Sequence, residues 1–342
     1  MTEQTTVSKV RTQTVGEAKE LARIFWQRDI PTYIHGAPGL GKSDIMRQLA
    51  AEEGVGFKDI RVGTMLPEDL TGIPVPDLQK RLAVWLRAEY WPDMERDGSR
   101  GIIAFDELSD APRNLQSCIY RVVLDRQIGE YKLPPGWWPM AAGNRREDRA
   151  AAQSISTALA NRFAHIHLRS DYDCWKIWAN QHNIDPMLVG FLGYRPNLLH
   201  SMEGADLLAF PSPRSWERVS KVFDLDPGRR QNAVTALVGE GAAIEVENFF
   251  KVVNLPDFED IIKAPTKTPI PTEPASRYAL SSMLARKTTA DTFPAIYKYI
   301  SRNEFGPDFG TVVVLDATKR DPSLCDVDTF KTWARNNKSL RL

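Results

Sequence analysis

Several things are missing from this chain of 342 residues, and each absence narrows what it can be. Its three cysteines, Cys118, Cys174 and Cys325, stand far apart and form no C-x-x-C pair. Neither a disulfide framework nor a cysteine zinc site is expected, and reduced thiols in the cytoplasm are. Net charge is also missing: Lys+Arg and Asp+Glu each total 44. No overall field therefore draws the molecule to nucleic acid or to an acidic membrane, although a local basic patch stays open. No uncharged apolar run approaches the ~20 residues that span a bilayer. Met1 to Val10 is polar without an apolar stretch, so no secretory signal is expected. There is no internal repeat. What remains, 42% hydrophobic and 26% charged residues, is ordinary for a soluble globular protein with room for two or three domains.

The first half alternates between strand and helix signals. Ala18 to Gln27 suits a short helix, and Thr32-Tyr33-Ile34-His35 is β-prone. Lys42 to Glu53 has helical spacing at Ile45, Met46, Leu49 and Ala50. Further β-prone stretches are Phe57 to Val62, Gly101 to Phe105, Trp138 to Ala142 and Phe163 to Leu168. Gly101 to Phe105 is apolar on successive residues, as expected of a strand covered on both faces. The fold class read from this is α/β, with a three-layer parallel sheet over residues 1–170. Residues 171–264 have helical candidates only, at Tyr172–Gln181, Pro213–Phe223, Arg229–Val238 and Ala242–Val252, and read as an all-α lid. Pro265, Pro269, Pro271 and Pro274 suggest a stiff linker. It leads to a C-terminal extension over 265–342 with helices, a candidate strand at Thr311 to Leu315 and a last helix near Asp328 to Asn336.

Between the first strand and the second helix lies Gly36-Ala37-Pro38-Gly39-Leu40-Gly41-Lys42-Ser43. A Gly-rich turn here lets backbone N–H groups approach a phosphate, and the following helix adds its N-terminal dipole. Lys42 supplies a point charge for the β- and γ-phosphates, and the Ser43 hydroxyl is a ligand for Mg²⁺. These are the marks of an ATP-binding phosphate loop. The strand at Gly101 to Phe105 ends in Asp106-Glu107, 64 residues after Lys42. Asp106 suits the Mg²⁺ shell, since that ion takes oxygen ligands. Glu107 suits a base that deprotonates the attacking water. Asn144, after the fourth strand, reads equally as a hydrogen-bonding sensor of the γ-phosphate and as a turn former beside Gly143.

These residues, with others around them, resemble the MoxR-type AAA+ ATPases. Leu66-Pro67-Glu68-Asp69-Leu70-Thr71-Gly72 is similar to the family's LPSDLTG stretch. Phe105-Asp106-Glu107 with Ala111-Pro112 resembles its DEINRAPP region, and Leu124-Asp125-Arg126-Gln127-Ile128 its MEERQV segment. Ala141 to Asn144 stands in the place of ATQN, Asn161-Arg162-Phe163 in that of DRF, and Ser212-Pro213-Arg214 matches SPR. The resemblance runs over residues 30–220. It departs at Asn161, usually Asp, and at Arg61 to Met65, which is shorter and lacks a Gln; residues 265–342 match nothing in the family. It implies a ring, most simply a hexamer, that uses ATP hydrolysis to remodel a protein client as a chaperone does. It further implies a partner carrying a von Willebrand factor A domain. Arg162 is implied to be an arginine finger reaching a neighbouring subunit's phosphate, and Arg214 a second sensor on the lid. Ile73 to Arg87 is implied to be a pore-facing hairpin, and Glu130 to Leu133 the hairpin before the first sensor.

Other features carry less. His165-x-His167 could pair on a metal, but a packed strand is the better reading. Trp137-Trp138 reads as buried packing before base stacking. Arg145, Arg146 and Arg149 suit a subunit interface or a solvated loop as well as DNA. A nucleic-acid-directed motor or loader is the rival reading; zero net charge and the lack of a DNA-binding module stand against it.

Overall fold

In the computed structural model, residues 10–145, 155–202 and 208–337 are described. The chain divides into two compact units, Met1–Ser170 and Asp171–Leu342.

The first unit is built on parallel strands. Its strands are β1 (Thr32–His35), β2 (Gly56–Arg61), β3 (Ile73–Asp77), β4 (Leu82–Leu86), β5 (Arg100–Asp106), β6 (Gln127–Ile128), β7 (Tyr131–Lys132), β8 (Gly136–Gly143) and β9 (Ala164–His167). Five of them form one sheet in the order β2-β5-β8-β1-β9, all neighbours parallel. Residues 102–105 of β5 are buried throughout because alternate side chains enter two different layers. Ile103 and Phe105 join the cluster that includes Leu115, Ile119 and Val122 of the helix Arg113–Asp125. Ile102 and Ala104 face the other way, towards the side of the sheet on which the helix Lys42–Glu52 packs. This is the three-layer core that the alternating strand and helix signals predict.

The first helix, Val15–Gln27, starts where Thr14 and Glu17 exchange hydrogen bonds between backbone N–H and side chain, and it buries Ala18, Ala22 and Trp26 at four-residue spacing. Trp137 is fully buried and its indole N–H donates to the Gly98 carbonyl at 2.8 Å. Trp138 lies beneath Arg126, whose guanidinium sits 3.9 Å from its ring. Both tryptophans are therefore engaged in packing. Among the described residues, the strands β3 and β4 pair only with each other, and all five β4 residues are exposed. Pro74 and Pro76 of β3 carry no N–H; a proline facing β4 would remove a ladder bond, so these positions face outwards. The outer edge of β3 consequently lacks donors, while that of β4 keeps them.

Among the described residues the second unit is all helical. Thr311 to Leu315, expected as a strand, lies inside the helix Pro307–Arg320. The β-branched run misleads because Gly310, Val313, Val314 and Ala317 fall on one helical face, and burial of that face overrides local preference. The stretch holding Pro265, Pro269 and Pro271 is packed rather than a free spacer: Tyr299 donates to the Pro269 carbonyl at 2.8 Å and Arg277 to that of Pro271 at 2.9 Å. The helix Pro274–Lys287 gives Ala275 and Ala279 to one core cluster and Leu280 and Leu284 to another. The expected border between a lid (171–264) and an extension (265–342) thus falls within one compact unit.

That helix crosses Pro186–Tyr194 at Gly190, where an added Cβ would stand 2.7 Å from the Ala279 Cα. Backbone cannot yield as a flexible side chain does, so Gly190→Ala is expected to destabilise the second unit by about 1–3 kcal/mol through overpacking. Urea unfolding read in that unit checks this, and an unchanged midpoint would rule out the tight crossing.

Candidate functional site

The parallel register levels the ends of three strands. His35 lies opposite Gly143, and Phe105 opposite Ala141. The first residues beyond β1, β5 and β8 therefore emerge on one edge of the sheet, where ligands of open α/β sheets bind. After β1 the loop turns through Gly39 at φ 83° and Gly41 at φ 82°, left-handed values that glycine adopts at little cost. Gly41 then starts the helix Lys42–Glu52. Gly36 plays a different part, since its Cβ would crowd that of Leu168 at 3.1 Å.

Hydrogen bonds join the expected site residues. Lys42 Nζ donates to the Gly36 carbonyl at 2.8 Å, the Ala37 carbonyl at 3.1 Å and Asn144 Oδ1 at 2.9 Å. Ser43 Oγ donates to Asp106 Oδ2 at 2.6 Å. The other Asp106 oxygen accepts the Glu107 N–H at 2.9 Å. Asn144 is therefore aimed at the loop rather than merely closing a turn. Glu107 itself has φ 57°, a left-handed conformation costing roughly 1 kcal/mol for a residue with a Cβ. Its carboxylate approaches Gly63, where an added Cβ would lie 3.2 Å from Oε2.

A second row of residues escaped the sequence reading. The Asn144 N–H donates to Ser109 Oγ at 3.0 Å, and the Ser109 hydroxyl donates in turn to Asp110 Oδ1 at 3.0 Å. Tyr33 is buried with its hydroxyl against Gly143, where any side chain would overlap it. Burial pushes the Tyr33 phenol upward, assisted by Asp110 and Asp106. Ser109 stands two residues after Glu107, and that proximity was the only signal in the sequence. The pairing with Asn144 spans 35 residues and leaves no local pattern.

Within the first unit, Arg162 lies apart from this cluster. Arg162 precedes β9, so it sits at the opposite end of the strands from the Gly36–Ser43 loop: Thr32 pairs with Ala164, and His35 with His167. Arg214 is exposed in the first turn of the helix Pro213–Ser220, in the second unit. Arg146 and Arg149 lie outside the described residues.

His165 and His167 surround His35 on β1. His165 Nε2 faces the Ala160 carbonyl at 2.9 Å, so that nitrogen carries the proton and Nδ1 accepts from His35 Nε2–H at 2.7 Å. The ring of His167 stacks on that of His35 with centroids 4.6 Å apart. Among the described residues no group of three or more His, Cys, Asp or Glu could hold a metal ion. Ser43 and Asp106 fit Mg²⁺ in another way, as two adjacent oxygens that leave most positions to water and phosphate. No helix among the described residues is long and apolar enough to cross a membrane.

No family profile and no curated protein matches the chain. Among solved structures it is similar to NtrX from Brucella abortus, at 14% identity and TM-score 0.43, covering 92% of this chain and 69% of that one. It is also similar to RuvB from Thermotoga maritima, a Holliday junction branch migration motor, at 16% identity and TM-score 0.38, covering 74% and 75%. Likenesses at this level concern the fold alone and carry nothing about the site.

The imidazole cluster generates a pH dependence. Burial, followed by His167, His165, Arg145 and Lys42, pushes the His35 imidazole down from 6.5 to about 3. Between those values the unfolded chain binds a proton that the folded one refuses, so stability present above pH 6.5 is lost as pH falls through that window. The slope is at most about 1.4 kcal/mol per pH unit. His35→Phe keeps the ring stacking and removes the titration. Urea unfolding at pH 7 and pH 5 is expected to show a smaller loss for the variant, and equal losses would discount His35.

Proposed function

We propose that this protein is an AAA+ ATPase of the MoxR type, working as a ring, most simply a hexamer, that remodels a protein client. The observation that carries the reading is the pair of contacts Lys42–Asn144 and Ser43–Asp106, which gathers on one sheet edge the groups that phosphoryl transfer needs. Lys42 meets the β- and γ-phosphates of ATP with a fixed charge, while the loop N–H groups and the helix N-terminus cradle them. Ser43 and Asp106 are the residues that would hold Mg²⁺, whose charge offsets that of the phosphates. Glu107 takes the proton of the attacking water, and Asn144 orients that water or the γ-phosphate.

The topology favours a site completed by a second copy. β1 is four residues long, so about 13 Å of strand lies between the start of the phosphate loop and the level of Arg162. An arginine at that end is badly placed for its own phosphates and well placed to be offered outwards. Such a finger is worth about 10³–10⁵ in rate. Arg214 is assigned to the coupling of nucleotide state and lid, and a von Willebrand factor A domain protein to the role of partner; both follow the family resemblance. The client reading draws support from the β3–β4 hairpin, where Leu86 is 59% and Ile73 65% exposed among the described residues. Apolar surface of that kind marks an interaction site.

Glu107→Gln keeps the shape of the side chain and removes the base. ATP is expected to bind it with near wild-type affinity and remain intact, whereas Lys42→Ala weakens binding itself. Calorimetry with steady-state turnover separates the two, and a Glu107→Gln enzyme that hydrolyses at the normal rate would sink the assigned role. For the shared site, Lys42→Ala and Arg162→Ala subunits, each inactive alone, are expected to recover part of their activity when mixed. No recovery in mixed rings verified by native mass spectrometry would return Arg162 to a structural role.

The hairpin calls for a separate measurement. Val84→Asp with Trp85→Ser is expected to spare basal ATPase activity and abolish client remodelling. Loss of folding in this variant would mean that the hairpin is a buried element.

A further inference from the structure

Arg162 is held by more than its own turn. Leu159 and Phe163, on either side of it, are buried in the core of the first unit. Its Nη1 donates to the Ala158 carbonyl at 3.1 Å, and its guanidinium lies over the ring of Tyr120 with 4.4 Å between centre and centroid. Nε is buried without a hydrogen-bond partner among the described residues. An unpaired buried donor disfavours this position, and cation–π attraction to the Tyr120 ring opposes that cost and orients the group.

Tyr120 is itself rigidly mounted. It is half-buried on the helix Arg113–Asp125, whose Leu115, Ile119 and Val122 are fully buried. The same helix reaches the finger turn at a second point: Gln116 Oε1 accepts the Ser156 N–H at 3.1 Å. Ser156 is the N-cap of the short helix Thr157–Ala160 that leads into Arg162. This supporting helix begins seven residues after Asp106, directly beyond Glu107 and the turn Leu108–Asp110.

We propose that Tyr120 is the positioning residue for Arg162: its ring face sets where the guanidinium stands when it is offered to a second copy of the chain. The mount ties the finger given to one neighbour to the helix that follows the subunit's own Asp106-Glu107. A shift of that helix displaces Tyr120, and Arg162 with it. This inference rests on the reading of Arg162 as a group acting in trans.

The test compares Arg162→Ala, Tyr120→Ala and Tyr120→Phe in rings verified by native mass spectrometry. Tyr120→Phe keeps the ring face and is expected to turn over ATP at close to the wild-type rate. Tyr120→Ala is expected to lower kcat about 10- to 100-fold, the effect of misplacing a catalytic group by an ångström or so, with ATP affinity nearly unchanged. Mixed with Lys42→Ala subunits it regains activity, because only the finger it lends is defective. If Tyr120→Ala fails to fold, Tyr120→Leu retains apolar volume without the ring face and is expected to show the same loss. Wild-type turnover in both the Ala and Leu variants beside an inactive Arg162→Ala would overturn the role of Tyr120 and leave the shared site standing. A Tyr120→Phe enzyme as slow as Tyr120→Ala would overturn it too. Full activity in Arg162→Ala would remove the shared site itself, and this inference with it.

Discussion

The ammonium of Lys42 holds three oxygens at once, two from the loop that carries it and one from Asn144 beyond β8. A lysine head group offers three N–H donors, and all three are used here. The loop cannot relax without releasing the strand end, nor the strand end without releasing the loop. That mutual constraint depends on the parallel register, which brings the ends of β1 and β8 level. The register depends in turn on the doubly covered sheet beneath. Ser109 extends the arrangement by accepting from the Asn144 backbone, so the turn after Asp106-Glu107 is pinned to the same point.

The second unit relies on buried charge as well as apolar packing. Arg230 and Glu247 form a bidentate pair at 2.7 and 2.9 Å, each side chain only 10% exposed. Lys176 meets Asp316 at 3.1 Å between the helices Tyr172–Gln181 and Pro307–Arg320. Burial raises the Asp316 carboxyl above its usual range, and Lys176 pulls it back. Such pairs add little net stability, yet losing one partner strands the other. A stacking of the helices that parts either pair leaves a buried charge without its partner.

What could be read from the sequence was local. The loop at Gly36–Ser43 and the carboxylates at Asp106-Glu107 announce themselves because their chemistry needs fixed residue types at short spacing. The parallel core was legible from apolar runs such as Gly101 to Phe105. Val62 was misplaced in β2 and sits instead in a short turn, since strand ends are decided by neighbours. Thr311 to Leu315 deceived because a β-branched run looks the same whether a sheet or a helix face buries it. Tyr120 with Arg162, Ser109 with Asn144 and His35 with His165 stayed hidden for a common reason. Each couples residues 35 to 130 positions apart, and one sequence carries no trace of such pairings.

The two prolines of β3 limit what the exposed hairpin can become. With donors left on β4 alone, a ladder in which both edges donate and accept can form only between two β4 strands, an isologous contact that uses up both. The β3 edge that each hairpin still presents has acceptors alone, so a further strand would gain about half the usual bonds there. An apolar ribbon that would otherwise template a growing sheet is thereby biased towards closed pairs and away from propagation into a fibre.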